Sequence, residues 1–248
     1  MTLIAQITDP HLRDDGIYAS HDPAEAMRRA FARIAAMEQK PDAIILSGDI
    51  IDRSAAGYDA AIALLRDSPV PLLPMPGNHD RHEAFRNAFG AWADFAPDHL
   101  SFALPVGDLL MVGLDSNLPG GRGGVDGARL DWLARILAGA QRPVILALHH
   151  PPFPTQVPSL DRSGFARAAD LAAVVAGSAV SRVIAGHSHR GIQSLWAGVM
   201  ASTAAGIGHS MNLGMSDTPP RKPTYAPPGF ELHKLASGTV VSHQIVLS

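Results

Sequence analysis

The sequence predicts a single α/β domain spanning residues 1–248, with two packed β-sheets and helices on their outer faces. Two observations support this fold class. Through residue 190, short apolar runs alternate with segments of helical periodicity, as in strand–helix–strand units. From Gly191 onward, strand-like runs follow one another without a clear helix between them. No composition shift marks a second domain, and 248 residues suffice for a substantial core.

Strands of the first part are predicted at residues 3–8, 43–47, 70–75, 109–114, 144–148 and 183–185. The first helix has Asp22 as its N-cap, Pro23 at the first helical position and Glu25 at the capping-box position, and it runs to about Glu38. Apolar residues at helical spacing predict further helices within residues 58–65, 85–89, 130–137 and 165–175. Asp80 is expected to orient His79 or to cap the helix that carries residues 85–89, and we favour the cap.

The last part of the chain is predicted to hold strands at residues 192–200, 230–235 and 239–246. Residues 216–229 contain five prolines and are predicted to form an ordered surface loop. The glycine-rich residues 120–124 lack the spacing of a phosphate-binding loop, so a flexible loop is expected there.

Composition excludes several classes of protein. A net charge of −3 gives no basic footprint of the kind that dedicated nucleic-acid binders show. The absence of cysteine excludes disulfides and thiolate metal sites. The sequence has no evident signal peptide and no apolar run of membrane-spanning length, so we expect a cytoplasmic protein without a membrane partner.

Five predicted strands each end in a short polar cluster. These clusters are Asp9-Pro10-His11, Gly48-Asp49, Gly77-Asn78-His79-Asp80, His149-His150 and Gly186-His187-Ser188-His189. Each one alone has an ordinary structural explanation, such as a turn or a core histidine. Ligands of open α/β sheets bind at the carboxyl ends of the strands, so five clusters in that position indicate one shared site.

The residue types in these clusters indicate metal binding. Carboxylates, an amide oxygen and at least four imidazoles are more ligands than one tetrahedral zinc takes, and no sulfur is present. Two divalent cations that share a bridging carboxylate fit the count, and such pairs typically lie about 3.5–4 Å apart.

The motifs Asp9-x-His11, Gly48-Asp49-x-x-Asp52, Gly77-Asn78-His79-Asp80, His149 and Gly186-His187-x-His189, taken together, resemble the calcineurin-like metallophosphoesterase superfamily. The resemblance spans roughly residues 1–210. Within that superfamily, the Gly-Asp-x-x-Asp form, the His-His-Pro-Pro run at residues 149–152 and the compact length are similar to class III cyclic-nucleotide phosphodiesterases and bacterial glycerophosphodiesterases. The resemblance implies a four-layer α/β/β/α sandwich with two mixed sheets.

The resemblance also implies residue roles. One metal would be held by Asp9, His11, Asp49 and His189, and a second by Asp49, Asn78, His149 and His187, with Asp49 bridging. His79 would donate to a phosphate oxygen, and the implied catalytic set is His79, Asp49 and Asn78. The cofactors would be two divalent or trivalent ions, drawn from Mn, Fe, Zn and Co.

Several polar residues near the motifs have less definite expectations. Asp52 is expected to support the Asp49 loop or to cap a helix, and His150 to lie beside the site or in the core. Four further residues within possible reach of a substrate pocket are Tyr18, His21, His82 and His209.

The expected function is hydrolysis of small phosphodiesters, of the cyclic-nucleotide or glycerophosphodiester type, by a metal-activated hydroxide. A metal-dependent phosphomonoesterase is an alternative, because the same hydroxide serves both reactions. A non-catalytic scaffold with this fold is a further alternative, although such members usually lose the histidines that this chain retains. A nuclease would need a basic groove, so a nucleic-acid partner is not expected. The sequence leaves the oligomeric state open, with a homo-oligomer as one option.

Overall fold

The computed structural model describes residues 1–14, 22–53, 56–212, 215, 223–224 and 226–247. Tyr18, His21 and most of the proline-rich segment at residues 216–229 therefore lie outside the described residues. The helices are α1 (Pro23–Ala35), α2 (Asp59–Leu65), α3 (His82–Phe89), α4 (Gly127–Ala138), α5 (Pro158–Asp161) and α6 (Ala168–Val175). The strands are β1 (Thr2–Ile7), β2 (Ala43–Ser47), β3 (Leu72–Met75), β4 (Phe102–Val106), β5 (Leu109–Gly113), β6 (Asn117–Leu118), β7 (Arg122–Gly123), β8 (Val144–Ala147), β9 (Val180–Ala185), β10 (Ile192–Trp196), β11 (Val199–Thr203), β12 (Ser210–Met211), β13 (Pro223–Thr224), β14 (Gly229–Ala236) and β15 (Thr239–Val246).

Two large mixed sheets form the centre of the fold. The first has the order β15-β14-β1-β2-β3. In this sheet β1, β2 and β3 are parallel, β14 is antiparallel to β1, and β15 is antiparallel to β14. The second has the order β10-β11-β9-β8-β5-β4, with β5, β8, β9 and β11 parallel and an antiparallel strand at each edge. The predicted pair of mixed sheets is confirmed.

The helices cover the outer faces of the two sheets. One apolar cluster packs α1, α2 and α3 with the first sheet, and it also includes one face of the second sheet. The other cluster packs α4 and α6 against the opposite face of the second sheet. The alternation along β5 shows this division, because Leu109 and Met111 belong to the first cluster and Leu110 and Val112 to the second. The layers therefore follow the predicted order of helix, sheet, sheet, helix.

Each sheet has parallel strands whose carboxyl ends lead to the predicted polar clusters. The two sheets also bond to each other close to this edge. The side-chain amide of Gln6 on β1 donates to the carbonyl oxygen of Ala185 on β9, at 2.9 Å, and to the hydroxyl of Ser47 on β2, at 3.0 Å. This buried bond holds the ends of β1, β2 and β9 together.

The prediction of one strand at residues 192–200 is wrong. The segment forms two antiparallel strands, β10 and β11, joined by a turn at Ala197 and Gly198. Both turn residues have positive φ values, 52° and 82°, which suits a two-residue hairpin turn. The prediction of a flexible loop at residues 120–124 is also wrong in part. Two of these residues form β7, which pairs with β6.

Two further strand predictions differ from the structure. The edge strand β4 was not predicted, since Pro105 and its half-exposed pattern obscure the signal. The strand predicted at residues 70–75 begins only at Leu72.

Among the residues that the structure describes, we find no helix with the length and apolar character that a membrane span requires.

Candidate metal centre

The predicted ligands lie at the carboxyl ends of β1, β2, β3, β8 and β9. Five of them have a left-handed backbone, with φ values between 48° and 66°, and these are Asp9, His11, Asp49, His187 and His189. Residues other than glycine rarely adopt this conformation, and such strain concentrates at functional sites. In each case the turn directs the side chain back toward the shared edge of the two sheets.

The first ligand group consists of Asp9, His11, Asp49 and His189. All four side chains are buried, and their candidate ligand atoms lie within 4.8 Å of one another. Nε2 of His11 is 3.2 Å from Nε2 of His189 and 3.5 Å from Oδ2 of Asp49. Nε2 of His189 is 3.4 Å from Oδ1 of Asp9. The structure therefore brings together all the residues predicted for the first metal.

The second ligand group consists of Asp49, Asn78, His149 and His187. Oδ2 of Asp49 is 3.4 Å from Nε2 of His149. Oδ1 of Asn78 is 3.2 Å from the same Nε2 and 2.9 Å from Nδ1 of His187. The same carboxylate oxygen, Oδ2 of Asp49, therefore faces both groups.

Two hydrogen bonds to main-chain carbonyls orient the imidazoles. Nδ1 of His149 lies 3.0 Å from the carbonyl oxygen of Ser47, and Nδ1 of His189 lies 3.1 Å from that of His209. Because a carbonyl oxygen only accepts, each Nδ1 carries the donated hydrogen, and in the neutral ring each Nε2 then has its lone pair toward the site. This is the arrangement in which histidine binds a metal.

The residues present fit a bound cation. In the neutral form of this tautomer Nε2 of His149 is an acceptor, and it lies 3.4 Å from Oδ2 of Asp49 and 3.2 Å from Oδ1 of Asn78, which are acceptors too. Three lone pairs without a hydrogen between them repel, and a cation among them removes the repulsion. Nitrogen and oxygen donors of this kind suit Mn, Fe, Co or Zn.

The pKa shifts show the same demand for positive charge. Burial favours the neutral form of His149, but Asp49 and Asp9 outweigh burial and raise its pKa to about 9. Burial raises the pKa of Asp9 to about 6, with a further increase from the charge of Asp49. Burial also holds the pKa values of His11 and His187 well below the usual range, so these imidazoles are neutral, which is the form that binds a metal.

Asp52 contacts His79, one of the side chains of the proposed site. Its Oδ1 lies 3.1 Å from Nδ1 of His79, and its Oδ2 accepts from Arg13 at 2.8 Å. His79 in turn has its Nε2 3.9 Å from Oδ2 of Asp49, and its main-chain N–H donates to Oδ1 of Asp49 at 2.8 Å. Asp52 therefore orients a side chain of the site, and the helix-cap expectation is wrong, since α2 begins at Asp59 after Tyr58.

The prediction that Asp80 caps a helix is wrong. Helix α3 begins after Arg81, and no side chain bonds to its first N–H groups. The Asp80 carboxylate instead accepts from the main-chain N–H groups of Gly77 and Ile50 and from the Tyr58 hydroxyl. These bonds tie the Asn78 loop to the Asp49 loop, an arrangement that short-range sequence patterns do not reveal.

Two glycines are required by close approach of the chain. A Cβ at Gly186 would lie 2.1 Å from Oγ1 of Thr8 and 2.8 Å from Oδ2 of Asp9. A Cβ at Gly77 would lie 2.2 Å from Oδ1 of Asp49. The absence of a side chain at these two positions therefore leaves room for the carboxylates of Asp9 and Asp49 between adjacent loops.

Of the other predicted neighbours, His209 lies at the site and His82 does not. The His209 ring centroid is 4.1 Å from that of His189 and 5.1 Å from that of His11. His82 instead pairs with Asp115, with Nε2 2.8 Å from Oδ2. The buried carboxylate of Asp115 also binds Arg129. The sequence does not predict these contacts, because the three residues belong to no motif.

A cavity of about 580 Å³ adjoins the second ligand group. Asn78 and His187 lie at its inner end, and its walls come from residues 119–123 and 150–168. Cavities of this size accommodate small organic ligands. His150, which follows a predicted ligand, also lines this cavity.

The chain is similar to known proteins over most of its length. A family model described as calcineurin-like phosphoesterase matches residues 2–191. A protein of Arcobacter nitrofigilis named a probable glycerophosphodiester phosphodiesterase, GpdQ, is 29% identical over 244 residues, which cover 93% of this chain and 88% of that protein. A protein of Rhodococcus erythropolis named a probable cyclic nucleotide phosphodiesterase is 31% identical over 222 residues, covering 85% of this chain and 72% of that protein.

A solved structure also resembles this fold. GAP50, described as the anchor in the inner membrane complex of Plasmodium, superposes with a TM-score of 0.66 at 15% identity, over 99% of this chain and 84% of that one. At this identity the similarity concerns the fold alone.

Proposed function

The chain belongs to the calcineurin-like phosphoesterase family, and on that basis we propose that it is a metal-dependent phosphodiesterase acting on small phosphodiesters. The observation that carries the proposal is the position of Asp49. Its Oδ2 faces His11 at 3.5 Å on one side and His149 at 3.4 Å on the other, as a carboxylate shared by two cations must.

In this proposal Asp9, His11, Asp49 and His189 hold one cation, and Asp49, Asn78, His149 and His187 hold the other. When bound, the two cations supply the charge that activates water and stabilises negative charge on the phosphate oxygens. Mn, Fe, Zn and Co remain the expected metals, since the nitrogen and oxygen ligands suit each of them.

The protein contributes orientation and a proton donor. Asp52 accepts the hydrogen on Nδ1 of His79, which fixes the orientation of the ring. His79 is partly exposed, with 21% of its side chain accessible, so its Nε2 can reach a bound phosphate oxygen or the leaving oxygen. The main-chain N–H groups of His79 and His187 bind Asp49 and Asp9, which holds both carboxylates in place.

The two named relatives support diesters over monoesters. One relative is named a glycerophosphodiester phosphodiesterase and the other a cyclic nucleotide phosphodiesterase, and each covers most of this chain. We therefore propose a small organic phosphodiester as the substrate. A homo-oligomer and a cytoplasmic location stay predictions from the sequence.

The test compares bis(p-nitrophenyl) phosphate with p-nitrophenyl phosphate, using metal-stripped protein reconstituted with Mn, Zn or Fe. The proposal expects metal-dependent hydrolysis of the diester well above that of the monoester, and loss of activity in Asn78→Ala and His187→Ala. Preference for the monoester would instead assign a phosphomonoesterase. Folded protein that is inactive with every metal would refute the enzyme and favour the scaffold.

A further inference from the structure

The cavity beside Asn78 and His187 has an apolar wall, and Arg122 and Ser163 also line it. Phe153, Leu160 and Phe165 contribute to the wall, together with several prolines. Asp161 also lines the cavity, but its carboxylate already accepts from Thr155 N at 2.9 Å and Thr155 Oγ1 at 2.7 Å. This carboxylate is therefore bonded within its own loop, and it is not free to bind a cationic ligand in the cavity.

His150 supplies a hydrogen-bond donor to this cavity. The Ser116 hydroxyl oxygen accepts from the main-chain N–H groups of His149 and His150, at 3.2 and 3.0 Å. Its hydrogen is therefore available for Nδ1 of His150, at 3.1 Å. Nδ1 is then the acceptor, and the ring hydrogen lies on Nε2.

Nε2 of His150 has no partner among the residues that the structure describes, although the side chain is only 5% exposed. A buried N–H without a partner is costly, and a ligand in the cavity that His150 lines would provide the acceptor. This second observation distinguishes the cavity from an ordinary surface cleft.

The position of His79 indicates which part of a diester enters the cavity. The cavity is lined by Asn78 and His187, whereas His79 is not among the described residues that line it. If His79 serves the leaving oxygen, the leaving group lies outside the cavity. The cavity is then placed to receive the alcohol that remains on phosphorus.

We propose that this cavity is a binding site for the retained alcohol of the substrate, and that His150 is its specificity-determining hydrogen-bond donor. The inference rests on the proposed phosphodiesterase function. The apolar wall and the Nε2 donor select an alcohol with a flat ring that carries a hydrogen-bond acceptor. A volume of about 580 Å³ exceeds what a three-carbon polyol fills, so a small polyol is the poorer ligand.

The test uses two esters with the same leaving group, p-nitrophenyl thymidine 5′-phosphate and methyl p-nitrophenyl phosphate. The native chain is expected to have a KM about tenfold or more lower for the thymidine ester, because only that alcohol contacts the wall and the donor. Similar KM values for the two esters would overturn the assignment of the cavity.

Variants identify the residues responsible. His150→Phe keeps a ring beside His187 and removes the donor, and it is expected to raise KM for the thymidine ester about tenfold while leaving KM for the methyl ester unchanged. His150→Gln, which retains an N–H donor, is expected to recover most of the loss. Phe165→Ala, at a half-buried wall position, is expected to act like His150→Phe, while Leu195→Ala on exposed β10 serves as the control.

Metal content and melting temperature are measured for each variant. A loss that affects both esters equally, or that follows loss of metal, would assign His150 a structural role and refute the proposal. Phe165→Ala keeps the test decisive if His150→Phe does not fold. Failure of the proposed function is distinct, because neither ester would then be hydrolysed by the native chain with any metal.

Discussion

The carboxylate of Asp52 lies 3.1 Å from Nδ1 of His79, and both side chains are largely shielded from solvent. Asp52 lies three residues after Asp49 in the chain. Its contact with His79 therefore connects the loop that carries Asp49 to the solvent-exposed side of the metal centre. A carboxylate at Nδ1 fixes the orientation of the ring and directs Nε2 toward the site. Two predictions follow from this geometry.

His79→Ala is expected to lower kcat for the diester by about 10²–10⁴-fold, the usual contribution of a positioned proton donor. Metal content should stay the same, because His79 is not one of the proposed ligands. Activity and metal analysis are compared with His243→Ala, a substitution at an exposed histidine on β15. Unchanged kcat in His79→Ala would refute the role of this residue.

Asp52→Asn is expected to lower kcat by about tenfold or more, with KM and metal content near those of the native chain. The effect should be absent when His79 is already replaced, because Asp52 acts through that ring. The measurement is a double-variant cycle of kcat. If Asp52→Asn reduces kcat equally in both backgrounds, Asp52 acts by another route, such as its pair with Arg13.

Gly186→Ala tests the close packing of the loops. The added methyl group would overlap Oγ1 of Thr8 at 2.1 Å and crowd Oδ2 of Asp9, so the loop that carries His187 and His189 must shift. We expect a loss of about 1–3 kcal/mol in the free energy of unfolding and weaker metal binding. The matched control is Gly57→Ala, where an added Cβ meets no atom of the described residues within 4 Å. Equal stability of the two variants would contradict the packing described here.

His233 gives the fold a pH dependence. Burial lowers the pKa of this imidazole to about 3, and its nitrogens are bonded to Gln6 and Ser242. The unfolded chain, with a pKa near 6.5, binds the proton more readily, so stability falls as pH drops from about 6.5 toward 3. Between pH 6.5 and 5 this residue should cost about 2 kcal/mol.

Urea unfolding at the two pH values measures this effect. His233→Gln cannot take up the proton and should lose less stability than the native chain on acidification. His243→Gln, at an exposed position, should follow the native chain. An equal loss in His233→Gln and the native chain would refute the contribution of His233.

Much of the architecture could be predicted from local sequence signals. Asp9, Asp49, Asn78, His149 and His187 each follow a predicted strand, and parallel strands bring their carboxyl ends to one edge. The convergence of the ligands therefore follows from strand order alone. The helix start at Pro23 follows in the same way, because Asp22 bonds to the N–H groups of Ala24 and Glu25.

The partners of the motif residues were harder to predict, because they depend on contacts between loops that are distant in sequence. Asp80 has the composition of a helix cap, yet its carboxylate binds the Tyr58 hydroxyl and the N–H of Ile50. Asp52 likewise reaches across to His79. A short-range pattern identifies which residues are polar at a strand end, but tertiary packing decides which groups they bind.

The hairpin of β10 and β11 shows a second reason for error. Its strands are half-exposed, and the turn consists of Ala197 and Gly198 between two apolar runs. Alanine is not a usual turn residue, so the sequence resembles one continuous strand.

Electron paramagnetic resonance of the metal-stripped chain titrated with Mn²⁺ tests the shared position of Asp49 most directly. If Oδ2 of Asp49 bridges two cations, about two equivalents of Mn²⁺ should give the spectrum of an exchange-coupled pair. Asp49→Asn should abolish that coupling. Isolated Mn²⁺ signals from the native chain at every stoichiometry would contradict the two-cation centre.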